Sequence, residues 1–406
     1  MCATMMRTPG CLALIAAALL VLGADPALSP APTGDGGPVS RRGTYAGGRY
    51  VIEVPARWNG GLVIFAHGYR GTEYSPLASH LAANGYAWAA SSFRSDGYRP
   101  DWFLIDTLEV RDLVIREVGR PRWTIIHGQA MGGHVAIASL ELHPGVYQGA
   151  LIECGAIDGV GIADFYLAYK AAAEYFAGVP LLDAMDRPDL PARISGQWLP
   201  VLGQPDSYTA QGRRFDSVIK HLFGGDLPLL LHGLRQHYVT NLLIPVRMTE
   251  PLGRAGSTLH IRYRIDPGLG VDEDELNRKI RRFAPAAGAR SRETNPVFAE
   301  PTGRITVPVL AIHETGDARV PFSLQQAYRR RTLEAGTSHL LVQRAVRWGG
   351  HCGFEGEVRE QAFDDLVAWI ERGIQPAGDD VLAADVSKLG LRWTSILHPD
   401  DPARRR

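Results

Sequence analysis

The sequence is poor in lysine and cysteine and carries no net charge. Only four of its 406 residues are lysine and four are cysteine, and the formal net charge is zero. A chain without excess positive charge gives no reason to expect nucleic acid as a partner. The cysteines and histidines show neither zinc-finger spacing nor a C-x-x-C pair. The sequence therefore predicts no structural metal.

Long hydrophobic runs are also missing. The apolar run from Cys11 to Leu22 is shorter than the roughly 20 residues of a membrane-spanning helix, so we expect no stable membrane anchor. It follows Arg7 and precedes a plausible cleavage point after Ala24, which is typical of a secretory signal. We therefore predict a signal peptide over 1–24 and a secreted or periplasmic protein, with an N-terminal anchor as the alternative. The Pro/Gly/Ala-rich stretch that follows predicts a disordered leader over 25–44.

Strands and helices alternate through most of the chain, which predicts a mostly parallel sheet covered by helices on both faces. An irregular stretch over 158–304 is too long for a loop in a compact domain and predicts a large inserted cap or lid. The core then comprises 45–157 and 305–375, followed by a C-terminal tail over 376–406. The predicted strands are 49–54, 62–66, 87–92, 123–127, 148–154, 307–313 and 339–346. The predicted helices are 102–118, 131–142, 163–177, 272–283, 324–335 and 357–371.

A turn built on glycines joins the strand that ends at His127 to the next helix. In Gly128-Gln129-Ala130-Met131-Gly132, glycines stand two residues before and two after Ala130. This is the G-x-S-x-G pattern of a nucleophile elbow, in which a sharp turn lifts the central side chain above the sheet. Alanine occupies the nucleophile position. The spacing fits neither a phosphate-binding P-loop nor a dinucleotide fingerprint.

The partners that a serine at this position would need are present later in the chain. His351 lies in a glycine-flanked loop after the last predicted strand and is the candidate general base. Asp317 follows the strand over 307–313 and is the candidate acid that orients this histidine. Turn formation is the alternative role for Asp317. The lesser candidates for the acid are Glu314, Asp158 and Glu153.

An oxyanion site is expected beside the elbow. The loop after the strand over 62–66 contains Gly68, which permits a tight turn, so the backbone N–H of Tyr69 or of Gly68 can face the reacting carbonyl. The second donor is the N–H of Met131, the residue after the nucleophile position.

The arrangement resembles the α/β-hydrolase superfamily from about Tyr50 to Gly373, apart from the cap. The segments WNGGLVIFAHGY, AASSFRSDGY and GGHCGF are most similar to its secreted esterase and peptidase-like branches. The resemblance implies a serine-type carboxylic ester hydrolase that acts through an acyl-enzyme and needs no cofactor. Amide or peptide hydrolysis by the same residues is the alternative, and a non-catalytic ligand-binding protein is a third.

Ala130 departs from the family pattern, because a methyl group cannot attack a carbonyl. The chain is either an engineered inactive variant or a natural pseudoenzyme. We favour engineered inactivation, because Asp317, His351 and the glycines around position 130 are all retained. The chain as written is then expected to be nearly inactive.

Two further features bear on the site. Cys154 ends a predicted strand at the carboxyl edge of the sheet, and Cys352 follows the candidate base, so both are expected near the site. They either form a disulfide that restrains the histidine loop or remain buried free thiols. The predicted helix over 163–177 carries several aromatic residues, which indicate either an apolar or aromatic substrate or ordinary packing between cap and core.

Overall fold

A computed structural model describes residues 37–46 and 48–405. The predicted signal peptide lies outside these residues, as does most of the predicted leader. Eight strands form one sheet, in the order β1-β2-β4-β3-β5-β6-β7-β8. Pairing is antiparallel between β1 and β2 and between β2 and β4, and parallel from β4 through β8. The strands are β1 (Val39–Tyr45), β2 (Gly48–Val54), β3 (Gly61–Ala66), β4 (Ala87–Ser91), β5 (Trp123–Gln129), β6 (Gly149–Glu153), β7 (Val309–Glu314) and β8 (Leu341–Val346).

Twelve α-helices occur within the described residues, with a π-helical turn at Ile194–Trp198. They are α1 (Ala78–Ala83), α2 (Pro100–Glu117), α3 (Met131–Leu142), α4 (Gly161–Ala177), α5 (Leu190–Arg193), α6 (Leu199–Leu202), α7 (Ala210–Phe223), α8 (Leu230–Leu243), α9 (Pro251–Ala255), α10 (Glu273–Lys279), α11 (Ser323–Glu334) and α12 (Gly356–Arg372). None of these helices is long and apolar enough to cross a membrane.

The central strands are buried on both faces, as expected where helices cover a parallel sheet. Every residue of β3, β4, β6, β7 and β8 is buried. One face packs against a cluster that includes Leu366 of α12, and the other against a cluster that includes Val114 of α2. The predicted mostly parallel sheet flanked by helices is confirmed.

The predicted disordered leader over 25–44 is wrong at its C-terminal end. Strand β1 begins at Val39 and pairs with β2 along its whole length. Its residues, VSRRGTY, are mostly exposed or half-buried because β1 is the edge strand of the sheet. Arginines and a glycine on an edge strand hide the hydrophobic alternation by which a strand is recognised in a sequence.

The chain leaves the sheet between β6 and β7 and forms α4 to α10, the segment that the sequence predicted as a cap. This insertion supplies most of a hydrophobic cluster built around α4, α7 and α8, which continues into the core at residues such as Val320 and Ala345. Tyr169 of α4, Phe215 of α7 and Tyr238 of α8 are fully buried there and make edge-to-face ring contacts. The insertion is therefore a packed helical layer and not an extended loop.

The C-terminal segment after α12 lies along the core and the cap. The Asp379 carboxylate accepts a hydrogen bond from the Ala345 N–H at the end of β8. Asp401, fully buried, accepts one from Arg347 at 2.8 Å. These bonds hold the last described residues against the loop that follows β8.

Candidate active site

Ala130 stands between β5 and α3 in a conformation that side-chain-bearing residues rarely adopt. Its φ is 51° and its ψ is −113°, a combination that costs free energy and persists only where the surroundings impose it. The Ala130 N–H donates to the Glu153 carbonyl at the end of β6. Its own carbonyl accepts from the N–H groups of Gly133 and Ala156, both at 3.0 Å. The backbone at position 130 is thus fixed as a nucleophile elbow requires.

The glycines of the elbow allow close backbone approaches. A Cβ at Gly132 would lie 1.8 Å from the Ala66 carbonyl oxygen, and one at Gly128 would lie 2.4 Å from the Gly132 carbonyl oxygen. The first turn of α3 therefore packs directly against the end of β3. This contact brings the loop after β3 beside position 130.

The candidate acid and base form a hydrogen-bonded pair. His351 Nδ1 donates to Asp317 Oδ2 at 2.7 Å, which leaves Nε2 as the nitrogen able to accept a proton. The other oxygen, Asp317 Oδ1, accepts from the N–H groups of Arg319 and Val320. Burial alone would raise the pKa of Asp317, but the charge and hydrogen bond of His351 outweigh it and hold the pKa below its usual value. The pair can therefore take up a proton at Nε2 and stabilise the resulting imidazolium.

Glu314, one of the lesser candidates for the acid, has a different role. Its side chain is fully buried, and burial followed by the charge of Asp317 raises its pKa well above the usual value. Glu314 Oε1 accepts a hydrogen bond from the Gly353 N–H at 2.7 Å. A neutral Glu314 thus supports the loop after His351 without a second negative charge beside Asp317.

The other two lesser candidates are held in ion pairs away from His351. Asp158 pairs with Arg331. Glu153 accepts from His127 at 2.8 Å and from Arg359 at 2.8 Å, and none of the three side chains is more than slightly exposed. Among the acidic residues that the sequence proposed, the structure brings only Asp317 to the histidine.

A disulfide links the elbow to the histidine loop. Cys154 and Cys352 are bonded, with their Cα atoms 5.3 Å apart. Cys154 directly follows Glu153, whose carbonyl accepts from Ala130, and the Cys352 Sγ lies 3.6 Å from His351 Nε2. The disulfide thus connects the strand that supports position 130 to the residue next to the candidate base.

The candidate oxyanion donors lie beside position 130. A Cβ at Gly68 would lie 3.0 Å from the Ala130 Cβ, so the loop after β3 contacts the elbow. Within the described part of the chain, the N–H groups of Tyr69 and Met131 donate to no protein acceptor. Both donors are therefore available to a bound oxygen atom.

The cap holds the loops that carry the acid and the base. Tyr166 of α4 donates to the Arg319 carbonyl at 2.8 Å, and Asn241 of α8 donates to the Ala318 carbonyl at 2.6 Å. Gln236 of α8 donates to the Gly349 carbonyl at 3.1 Å, two residues before His351. Both loops are thus anchored to the cap as well as to the sheet.

His237 of α8 is a residue near the site that the sequence analysis missed. Burial, followed by the positive charge of Arg319, lowers its pKa to about 4, and the charges of Asp317 and His351 also act on it. His237 is therefore neutral at neutral pH and lies close enough to Asp317 and His351 for their charges to act on it. The spacing of Leu230, Leu234, Tyr238 and Leu242 along α8 was the signal that could have placed this helix.

Two aromatic residues of α4 pack within the cap, whereas Tyr166 reaches the loop that carries Asp317. Phe165 and Tyr169 make ring contacts with Phe223 and Phe215 of α7, and all four belong to the hydrophobic cluster of the cap. The contacts of Phe165 and Tyr169 are those of ordinary packing, although within the cap and not between cap and core.

The order and mostly parallel pairing of the eight strands, with helices on both faces, define the α/β-hydrolase fold. The solved structures to which the chain is similar include feruloyl esterase B from Aspergillus oryzae, with a TM-score of 0.51 and 12% identity over 82% of this chain and 80% of that one. An esterase from Aspergillus oryzae gives a TM-score of 0.50 and 13% identity, with 84% and 80% covered.

A Pyrococcus horikoshii acylaminoacyl peptidase gives a TM-score of 0.44 and 13% identity, with 85% of this chain covered. The present chain spans 43% of the length of that peptidase. No protein-family model and no curated protein sequence matches the chain.

Proposed function

We propose that this chain is a serine-type carboxylic ester hydrolase whose nucleophile has been replaced by Ala130. The observation that carries the proposal is the backbone of Ala130, held at φ 51° and ψ −113° although alanine gains nothing from that conformation. A serine hydroxyl at this position would stand at the N-terminus of α3. The fold of the two Aspergillus oryzae esterases is consistent with ester substrates.

The proposed reaction uses residues already in place. With serine at position 130, His351 Nε2 would take the hydroxyl proton as the oxygen attacks the ester carbonyl, and Asp317 would stabilise the imidazolium. The N–H groups of Met131 and of Tyr69 or Gly68 would bind the oxyanion. His351 would then protonate the leaving alcohol, and a water molecule would hydrolyse the acyl-enzyme by the same steps.

We further propose that Ala130 results from engineered inactivation. A natural pseudoenzyme that no longer needs catalysis has no reason to keep a buried aspartate bonded to a histidine and a costly backbone at the nucleophile position. The 2.7 Å bond between Asp317 and His351 and the conformation of Ala130 support this view. The chain as written should bind esters and turn them over at a residual rate.

Export is also part of the proposal. The predicted signal peptide over 1–24 is the reason to propose it. The bond between Cys154 and Cys352 is consistent with an oxidising compartment. Cleavage after Ala24 would leave these two as the only cysteines of the mature chain.

The test is the Ala130→Ser variant, assayed beside the parent on p-nitrophenyl esters of increasing acyl length and on the matching anilides. Restoring the hydroxyl should raise kcat on at least one ester roughly a millionfold, the loss measured when a serine hydrolase loses its nucleophile. Anilide hydrolysis at a comparable rate would favour the amide or peptide alternative.

Three control variants make the result specific. Ala138→Ser places a new hydroxyl two turns further along α3 and should leave the chain inactive. Adding His351→Ala or Asp317→Asn to the Ala130→Ser variant should abolish most of the restored rate. An Ala130→Ser variant that folds and remains silent on every ester and anilide would favour the non-catalytic ligand-binding protein instead.

A further inference from the structure

Two histidines and an aspartate from distant parts of the chain meet where the cap contacts the C-terminal segment. His232 lies in the first turn of α8, and His398 and Asp400 lie beyond α12. One nitrogen from each histidine and one carboxylate oxygen of Asp400 all lie within 4.8 Å of one another. The two imidazole rings are 4.3 Å apart, centre to centre, and edge to face.

We propose that His232, His398 and Asp400 form a site for one Zn²⁺ ion. Imidazole nitrogen and carboxylate oxygen are ligands that zinc prefers, at about 2.0–2.2 Å. Two such ligands on a tetrahedral ion lie roughly 3.4 Å apart. His232 Nδ1 and Asp400 Oδ2 are 3.5 Å apart. This pair is thus already at the spacing that a bound ion requires, and a nitrogen of His398 lies within 4.8 Å of both atoms.

The ring nitrogen of His232 that faces Asp400 supports the proposal. Its Nδ1 is buried and has no hydrogen-bond partner within the described residues, which is costly for a polar atom. A metal ion between His232 and Asp400 would satisfy this nitrogen. The neighbouring cation Arg235 lies 3.3 Å from Asp400 Oδ2, but its two main bonds, at 2.7 and 2.8 Å, go to Asp206. Asp400 Oδ2 therefore accepts one long bond from Arg235 and keeps a second lone pair for the ion.

The site borders an open groove. His232 and Asp400 are among the residues that line a cavity of about 440 Å³ bordered by α7, α8 and the C-terminal segment. Three protein ligands leave the fourth position of a tetrahedral ion to a water molecule, which the groove would admit. The other group of potential ligands near this region, around His351, contains the bonded cysteines and has no free thiolate to offer.

Binding would join three parts of the molecule. His232 belongs to the cap, and His398 and Asp400 belong to the C-terminal segment. The ring of His232 also packs on Gly349, where a Cβ would lie 2.4 Å from His232 Cδ2, two residues before His351. Zinc would therefore fix the cap and the C-terminal segment against the histidine loop, whatever reaction the chain performs.

The experiment is equilibrium dialysis of the full chain against Zn²⁺ at about pH 7.5, after removal of metal with a chelator. The parent should bind one Zn²⁺ that His398→Ala and Asp400→Asn each weaken at least about tenfold, because even loss of a residue that only orients a ligand costs that much. The matched control is His339→Ala, which removes an exposed histidine outside the site and should bind as the parent does.

Two further measurements distinguish this site from zinc bound elsewhere on the chain. Thermal unfolding should shift upward with Zn²⁺ in the parent and in the His339→Ala variant but not in the His398→Ala variant. Co²⁺ bound in place of zinc should show no thiolate charge-transfer band, which excludes binding by Cys2 and Cys11. Absence of saturable binding by the parent would overturn the proposal. So would equal affinity in the parent and in folded Asp400→Asn, a variant that preserves side-chain shape.

Discussion

The elbow leaves no room for a side chain at Gly132. A Cβ there would lie 1.8 Å from the Ala66 carbonyl oxygen, so either α3 or β3 would have to move. We predict that Gly132→Ala lowers the free energy of unfolding by about 3 kcal/mol or more, at the upper end of overpacking effects. Urea denaturation followed by circular dichroism measures the change.

The control for Gly132→Ala is Gly196→Ala. Gly196 lies in the π-helical turn of the cap, and a Cβ added there would have nothing within 4 Å. Its replacement should change the free energy of unfolding by less than about 1 kcal/mol, because alanine also favours helix. Equal losses in the two variants would show that the close approach at the elbow is not what limits substitution.

Individual residues were predictable where local sequence pattern determines their position. The glycines around Ala130 and the loops after β7 and β8 identified Asp317 and His351, which the structure brings together. Glu314, a lesser candidate for the acid, is buried as a neutral support, which no local pattern reveals. His237 lies on a cap helix that was not predicted. Its position near Asp317 therefore became known only from the structure.

The junction between cap and core contains an acid whose charge state should depend on pH. Burial, opposed by Arg331, raises the pKa of Asp158 to about 6. The folded chain then keeps this proton up to about pH 6, whereas the unfolded chain loses it near pH 4. The resulting stabilisation is present below about pH 4 and is lost as the pH rises through 6.

Asp158→Asn tests this dependence, because asparagine cannot lose the proton. Between pH 4 and pH 7 the stability of the parent should fall relative to that of Asp158→Asn by up to about 3 kcal/mol. Urea denaturation at the two pH values gives the difference. The control is Asp112→Asn, at a largely exposed position on α2. Its free energy of unfolding should equal that of the parent at both pH values. If the difference in free energy of unfolding between the parent and Asp158→Asn did not change with pH, the raised pKa of Asp158 would be contradicted.

Elements were predictable where hydrophobic periodicity was strong. Helix α3 has the predicted bounds, and the buried strands β3, β5 and β7 lie within two residues of theirs. In the cap, α7 and α8 were not predicted. Helix α7 does repeat apolar residues at helical spacing, at Phe215, Val218, Ile219 and Phe223. Helix α8 buries a glycine and a polar residue among its apolar ones, which weakens its periodicity. The glycine is Gly233, where a Cβ would lie 1.9 Å from the Gly316 carbonyl oxygen.

At the scale of the whole molecule, the C-terminal segment is tied to the core by a buried ion pair. Asp401 and Arg347 are 2.8 Å apart, and both side chains are almost fully buried. Removing one partner leaves the other charge buried, so Asp401→Ala should lower the free energy of unfolding by about 3–5 kcal/mol.

The comparison for Asp401→Ala is Lys388→Ala, which breaks an exposed pair with Asp385 in the same segment. That change should cost less than about 1 kcal/mol, because exposed ion pairs contribute little. Thermal and urea unfolding of the two variants measure the contrast. A loss from Asp401→Ala no larger than that from Lys388→Ala would mean that the C-terminal segment contributes little to stability.

The bond between Cys154 and Cys352 spans a sequence separation of 198 residues. These residues include the whole cap, β7, β8 and both loops that carry the acid and base. They form a closed covalent ring, with β1 to β6 attached on one side and α12 on the other. A protease that cuts the exposed surface of the cap once therefore opens the ring without releasing a fragment. The nicked chain would migrate as a single molecule until a reductant separates the two halves.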